Sequence, residues 1–133
     1  FVLRAALRDL DRWAAGGDPP PTAARLDVDT SSGTPRFRVD DVGNVTGGIR
    51  TPVVDAPVDV LSGLAPSDST VICILLGSTT PLPDDVLARH YADRDAYLAA
   101  YRNATDAAIR AGFVLRDDRD QLLADAQPDR VAA

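Results

Sequence analysis

The sequence contains no lysine, no glutamate and no methionine. All 14 basic residues are arginine and all 20 acidic residues are aspartate, for a formal net charge of -6. An acidic balance of this kind argues against non-specific binding to nucleic acid or to an anionic membrane surface, both of which need clustered positive charge. No apolar run approaches the ~18 residues of a membrane-spanning helix. Cysteine is nearly absent as well. The lone Cys73 cannot close an internal disulfide or build a cysteine-rich zinc site, and the lone His90 excludes a histidine pair at a catalytic zinc. No metal and no cofactor is expected.

What remains is a globular composition, 45% hydrophobic and 26% charged over 133 residues, which sets a prior of one domain at most. Heavy use of Ala, Arg, Asp and Val without Lys fits a GC-rich, bacterial coding sequence; the missing Glu has no such explanation, because it has a GC-ending codon. The first residues, Phe1 to Ala6, already read as helix without a cap. Together with the missing Met, this leads us to expect the C-terminal part of a longer polypeptide, with localisation undecided.

Residues 1–15 read as an amphipathic helix. Leu3, Ala6, Leu7, Leu10 and Trp13 recur at three- and four-residue steps and share one face. Gly16-Gly17 stops the helix and Pro19-Pro20-Pro21 prevents its restart. Residues 25–62 read as short strands and turns, with alternation over 25–28 and 36–39, turn clusters at 30–35 and 40–44, and a β-rich stretch over 53–61 that Pro57 makes irregular. Val71 to Leu76 is the most apolar run and fits a fully buried strand, followed by Gly77-Ser78-Thr79-Thr80-Pro81 as a loop. Helices are expected over 84–91, then from a cap at Asp93 or Asp95 to Ala111, then after a cap at Asp117 or Asp118. In the second of these, Leu98, Tyr101, Thr105, Ala108 and Ile109 form the expected buried face. Arg102, Asp106 and Arg110 form a charge ladder on its outer face.

Few residues point to chemistry. The Gly-x-Ser-x-Gly elbow of a serine nucleophile is absent, and His90 on a polar helix is a base only if a nucleophile reaches it from elsewhere. Asp40-Asp41-Val42-Gly43-Asn44 has the oxygen-rich look of a cation loop but lacks the other ligands, so a tight hairpin turn is the simpler reading. Asn44-Val45-Thr46 and Asn103-Ala104-Thr105 fit a glycosylation triplet, and neither is taken as modified. In Gly47-Gly48-Ile49-Arg50-Thr51-Pro52, Arg50 projects a planar donor fork that either ties the loop to a carboxylate or shapes a pocket rim. Ser78 and Thr79 lie where a strand empties into a helix, an end that binds ligands in open α/β sheets. Arg50, Ser78 and Thr79 are therefore the candidate substrate-binding residues, and no catalytic residue is assigned.

Taken together, these segments resemble the bacterial alpha/beta hydrolase domain-containing proteins. The resemblance rests on Ala5-Ala6-Leu7-Arg8-Asp9-Leu10-Asp11-Arg12-Trp13 with Gly17-Asp18-Pro19-Pro20-Pro21, on the stretch Asp41 to Val58 that contains Gly-Gly-Ile-Arg-Thr-Pro, on Cys73 to Pro81 with Gly-Ser-Thr-Thr-Pro, and on Tyr97 to Leu115. Leu82 departs from it, since the family usually has Phe after this proline. The resemblance implies an α/β class: the C-terminal portion of an α/β-hydrolase-like fold over residues 1–126, with 127–133 as a tail. It would comprise a helix, irregular short strands, one buried strand, then two to three helices. It also implies that the serine nucleophile and the histidine-bearing segments precede Phe1, and that His90 is not the family's catalytic histidine. The expected partners are the upstream remainder of the same polypeptide and a small acyl or ester substrate. The alternative is a non-catalytic cap or protein-interaction module.

Overall fold

A computed structural model describes residues 1–64 and 75–132. The chain opens with α1, Val2–Ala14, as its periodicity predicts. The apolar face exists but points outward: Leu3, Leu7, Leu10 and Trp13 are all exposed, Leu3 by 71%. The helix packs instead through Ala5 and Asp9, both buried. Periodicity identifies which residues share a face, not which face meets the body. The small Ala5 allows close approach, and Arg12 satisfies the buried Asp9 carboxylate at 2.9 Å. A second arginine, Arg4, reaches the buried Asp118 at 2.9 Å and fastens the helix to the C-terminal part of the chain. The proline spacer that follows runs beside Gly112, where an added Cβ would sit 3.1 Å from the Pro21 ring.

Two small antiparallel sheets follow. In the first, β1 (Val28–Asp29) pairs with β2 (Arg36–Phe37), and Val28 faces Phe37. The connecting turn is closed by Asp29 accepting from the Ser31 amide at 2.8 Å. In the second, β3 (Asp59–Ser62) pairs with β4 (Ser78–Pro81), with Asp59 opposite Pro81 and Ser62 opposite Ser78. Two expectations change here. The stretch 53–61 splits into a short helix, α2 (Pro52–Asp55), and the strand β3. The predicted loop 77–81 is a strand, because Gly77 takes a left-handed φ of 69° and folds the chain tightly against the Ser62 carbonyl. The buried strand expected over Val71–Leu76 falls mostly outside the described residues. At its end, Leu75 and Leu76 have helical backbone and are 81% and 79% exposed. A short apolar run does not by itself distinguish strand from helix.

The helical part matches expectation more closely. The helices are α3 (Asp84–His90) and α4 (Arg94–Arg110), the latter capped by Asp93, whose carboxylate accepts from the Ala96 amide at 2.8 Å. Asp118 stands at the head of α5 (Arg119–Ala124), but its side chain serves Arg4 rather than a cap. On α4 the buried residues are Tyr97, Tyr101, Ala104, Thr105 and Ala108, with Leu98 and Ile109 only half-buried. The face is rotated toward the tyrosines. The predicted ladder along α4 also gives way: Asp106 pairs across to Arg119 of α5 at 2.7 Å in a two-pronged contact. A bidentate pair between helices is stronger than an exposed pair within one.

The main core gathers Ala56, Val58, Leu82, Leu87, Tyr91, Tyr97, Tyr101 and Val131. Leu82, the departure from the family pattern, is one of its buried members. The rings of Tyr91 and Tyr97 meet edge to face at 5.2 Å, and Tyr97 and Tyr101 stand 5.8 Å apart. Tyr91 donates its hydroxyl to the Pro57 carbonyl at 3.1 Å, and Tyr97 accepts from the Gln127 amide at 2.9 Å. The expected tail is bound to this body. Arg94 donates to the Val131 carbonyl, and Arg130 donates to the Leu82 carbonyl and the Asp59 carboxylate.

Burial raises the phenolic pKa of Tyr91, Tyr97 and Tyr101, the last being pushed up to about 12. A raised value means that the folded state holds the proton more tightly than the unfolded chain does, where tyrosine titrates near 10. The stability linked to these groups is therefore complete below pH 10 and is lost as pH rises from 10 through the folded values. In an alkaline titration, tyrosinate absorbance and the loss of helical circular dichroism should rise together. Ionisation near pH 10 with the helices intact would contradict the packing described.

Candidate functional site

The Asp41–Val58 stretch and the Gly77–Pro81 stretch are neighbours in space, joined through one side chain. Asn44 is fully buried. Its amide nitrogen donates to the Asp59 carbonyl at 3.0 Å, and its amide oxygen accepts from the Leu61 amide at 2.7 Å. It therefore binds β3 as another strand would, on the edge away from β4. The loop that carries it is closed by Asp40. One oxygen of that carboxylate accepts from the amides of Val42, Gly43 and Asn44, at 3.2, 3.0 and 2.8 Å. The Asp40 amide donates to the Asn44 carbonyl, and Val39 pairs with Val45. The loop is thus a hairpin turn held by its own aspartate. No cluster of three metal-ligating side chains occurs among the described residues.

Arg50 is committed to this loop. Its Nε donates to Asp55 at 2.6 Å, Nη1 to the Val45 carbonyl at 3.0 Å and Nη2 to the Val54 carbonyl at 3.4 Å, with Asp40 3.7 Å away. The guanidinium clasps both ends of the segment 45–55. The glycines before it serve the same closure. Gly47 has φ 77° and pairs with Leu26, where a Cβ would run into the Arg25 carbonyl, so only glycine permits this approach. Pro52 then starts α2 at its first position, where the missing N–H costs nothing.

Ser78 is half-buried and Thr79 exposed, both in β4 opposite Ser62 and Leu61. No hydrogen bond joins either of them to Arg50 among the described residues. The three candidate side chains are therefore not gathered around one point. Arg50 lies behind the Asn44 clamp, and Ser78 and Thr79 lie beyond β3. His90 ends α3 and sits beside the same hairpin, with Nε2 3.5 Å from Asp41. The hydroxyls of Ser32 and Ser62 are spent on turn carbonyls, those of Thr34 and Leu64.

In sequence, Asn44 reads as a turn residue, with a cation loop and a glycosylation triplet set aside. The signal for its role was present in Asp-x-x-Gly-Asn: an aspartate that folds the turn back onto itself presents the following asparagine side chain away from the loop.

Two apolar surfaces frame these elements. One is the outward stripe of α1. The other is an open cavity of about 850 Å³ over the first sheet, walled by Leu26, Val28, Phe37, Val39 and Leu64, with Arg36 at its edge.

Asn44→Leu should remove both bonds to β3, leaving a carbonyl and an amide unpaired. A loss of roughly 2–4 kcal/mol is expected in chemical denaturation. Arg50→Ala tests the clasp against a substrate role. The clasp predicts a stability loss of roughly 1–3 kcal/mol that Arg50→Lys does not restore, since an ammonium cannot reproduce the fork. A raised KM with unchanged denaturation midpoint would instead return Arg50 to the substrate.

No helix among the described residues is long and apolar enough to cross a membrane. No curated protein and no solved structure matches the chain. A family model described as alpha/beta hydrolase domain matches residues 1–124, nearly the whole chain, with the helix, both glycine-bearing blocks and the C-terminal helices inside the matched span. The chain belongs to the alpha/beta hydrolase domain family.

Proposed function

We propose that this chain is the C-terminal part of a serine hydrolase that cleaves a carboxylic ester or related acyl compound, with the nucleophile carried elsewhere in the same polypeptide. The observation that carries the reading is the family match over residues 1–124. Such a reaction needs a nucleophile, a base and an orienting acid that converge. We infer that the nucleophile and its histidine lie in segments that precede Phe1.

The exposed apolar surfaces support a partner that covers them. Leu3, Leu7, Leu10 and Trp13 on α1 and Leu26, Val28, Phe37 and Val39 on the first sheet are each 40% exposed or more. Patches of this kind mark interaction surfaces. The partner we take for them is the remainder of the same polypeptide, in keeping with segments expected before Phe1. On this reading Arg50 and Asn44 hold the scaffold, while Ser78 and Thr79 stay the residues of this chain nearest in character to a pocket rim.

The same outward stripe on α1 also suits a second reading, a non-catalytic cap or protein-interaction module. The two readings separate in a pair of experiments. A fluorophosphonate probe applied to the intact polypeptide should label a serine outside residues 1–133, and an ester reporter substrate should protect it. Residues 1–133 expressed alone should aggregate and be rescued by the adjoining segment. A monodisperse, cooperatively melting fragment, with no labelled serine in the intact polypeptide, would favour the module.

A further inference from the structure

Helix α1 meets the body through Ala5 and Asp9 and turns its other side outward. Leu3, Leu7 and Leu10 follow one another at steps of four and three residues, and Ala14 is the next member. This spacing keeps one seam facing a neighbouring helix. All four residues are exposed. Arg4 and Asp11 run along one flank of the seam, and Ala6 and Trp13 along the other. We propose that α1 is the contact between two copies of this chain, paired antiparallel about a two-fold axis.

The helix is complementary to itself in that orientation. A two-fold contact uses the same patch on both copies, so each residue meets a different member of the same patch. Turned antiparallel, Leu7 faces Leu10 of the second copy, and Leu3 faces Ala14 of the second copy. The flanks then match as well. Arg4 comes beside Asp11 of the second copy, and the broad Trp13 ring lies over the small Ala6, each contact occurring twice by symmetry. A parallel pair would set Arg4 and Asp11 against Ala6 and Trp13 and leave both charges unmatched; flanking charges of this kind select orientation. The groups are available for it. The ion pairs of α1 are Arg4 with Asp118, Arg8 with Asp117 and Arg12 with Asp9, which leaves the Asp11 carboxylate unpaired among the described residues. Arg4 gives Nη1 to Asp118, and its side chain is still 60% exposed, so the rest of the fork is open to a second carboxylate. The outcome is an apolar centre with a charged rim, the layout of an association surface.

The pairing uses none of the residues weighed for substrate binding, so it stands or falls apart from the hydrolase reading, whose own readout is serine labelling. On it, a second copy covers α1 and the remainder of the polypeptide covers the first sheet. Sedimentation velocity of the intact polypeptide over a dilution series tests it, with a reversible monomer–dimer equilibrium expected. Leu7→Asp, at the middle of the seam, should leave monomer alone with helical circular dichroism unchanged. Asp11→Arg, which sets like charges side by side twice, should weaken the dimer on the order of tenfold at low salt. Leu3→Cys mixed with Ala14→Cys, both in a Cys73→Ser background, should give a disulfide-linked pair under mild oxidation that neither variant gives alone. Monomer at every concentration, a dimer indifferent to both Leu7→Asp and Asp11→Arg, or cross-linking of Leu3→Cys with itself would each overturn the proposal. A monomeric wild type whose denaturation midpoint falls on Leu7→Asp would overturn it too, and assign the stripe to the remainder of the same polypeptide.

Discussion

The arrangement depends on one constraint: the strands are too short to satisfy their own backbones, so side chains complete them. β3 has a four-residue partner on one edge only. On its other edge the Asn44 amide acts as a neighbouring strand would, giving one donor and one acceptor to nearby backbone groups. A buried peptide group without a partner costs about 1–3 kcal/mol, so this single side chain spares the half-buried β3 two unpaired backbone groups. Asn44 is in turn aimed by Asp40, which gathers consecutive amides onto one oxygen. Arg50 then closes the following segment through carbonyls at both ends. The hairpin, α2 and β3 are thus one hydrogen-bonded unit whose fasteners are polar side chains rather than a ladder.

The unusual charge composition acquires a structural sense here. Arg50, Arg94 and Arg130 each bridge a backbone carbonyl and an aspartate. A planar guanidinium can serve two such acceptors at fixed angles, which a lysine ammonium does less well. On the acidic side, Asp29, Asp40 and Asp93 accept from amides a few residues along the chain. These are turns and caps that suit a short carboxylate rather than the longer arm of glutamate. These contacts use arginine and aspartate for what distinguishes them.

The sequence was most legible where local rules operate. The bounds of α1, the cap at Asp93 and the stop at Gly112 all follow from residue types within a few positions of the boundary. It was least legible where the outcome depends on what lies opposite. The α4 face rotated toward Tyr97 because Tyr97 and Tyr101 pack with Tyr91 edge to face and tilted in one cluster, and Asp106 left its own helix because Arg119 offered two donors at once. β4 was missed because serine and threonine next to a glycine read as a loop until β3 is present to pair with them. For the candidate site, the glycine block stands out in the sequence. Its purpose could not be separated, in sequence, into clasp or pocket rim, because the same donor fork serves both.

That ambiguity bears on how family blocks should be interpreted. Gly-Gly-Ile-Arg-Thr-Pro is distinctive enough to carry a resemblance, and distinctive blocks invite functional readings. Here three of its members have mechanical roles. Gly47 admits the Arg25 carbonyl, Arg50 clasps the segment, and Pro52 starts a helix. Arg50 is half-buried, and each of its three guanidinium nitrogens already donates within the segment 45–55. By contrast, the phenol with nothing to bind among the described residues, Tyr101, belongs to a helix whose sequence looks like ordinary core. Distinctive residues can be fully occupied by the fold, while an ordinary-looking one holds the unmet chemical demand. The block therefore reads first as what fastens this segment, since each guanidinium nitrogen of Arg50 already serves a protein acceptor.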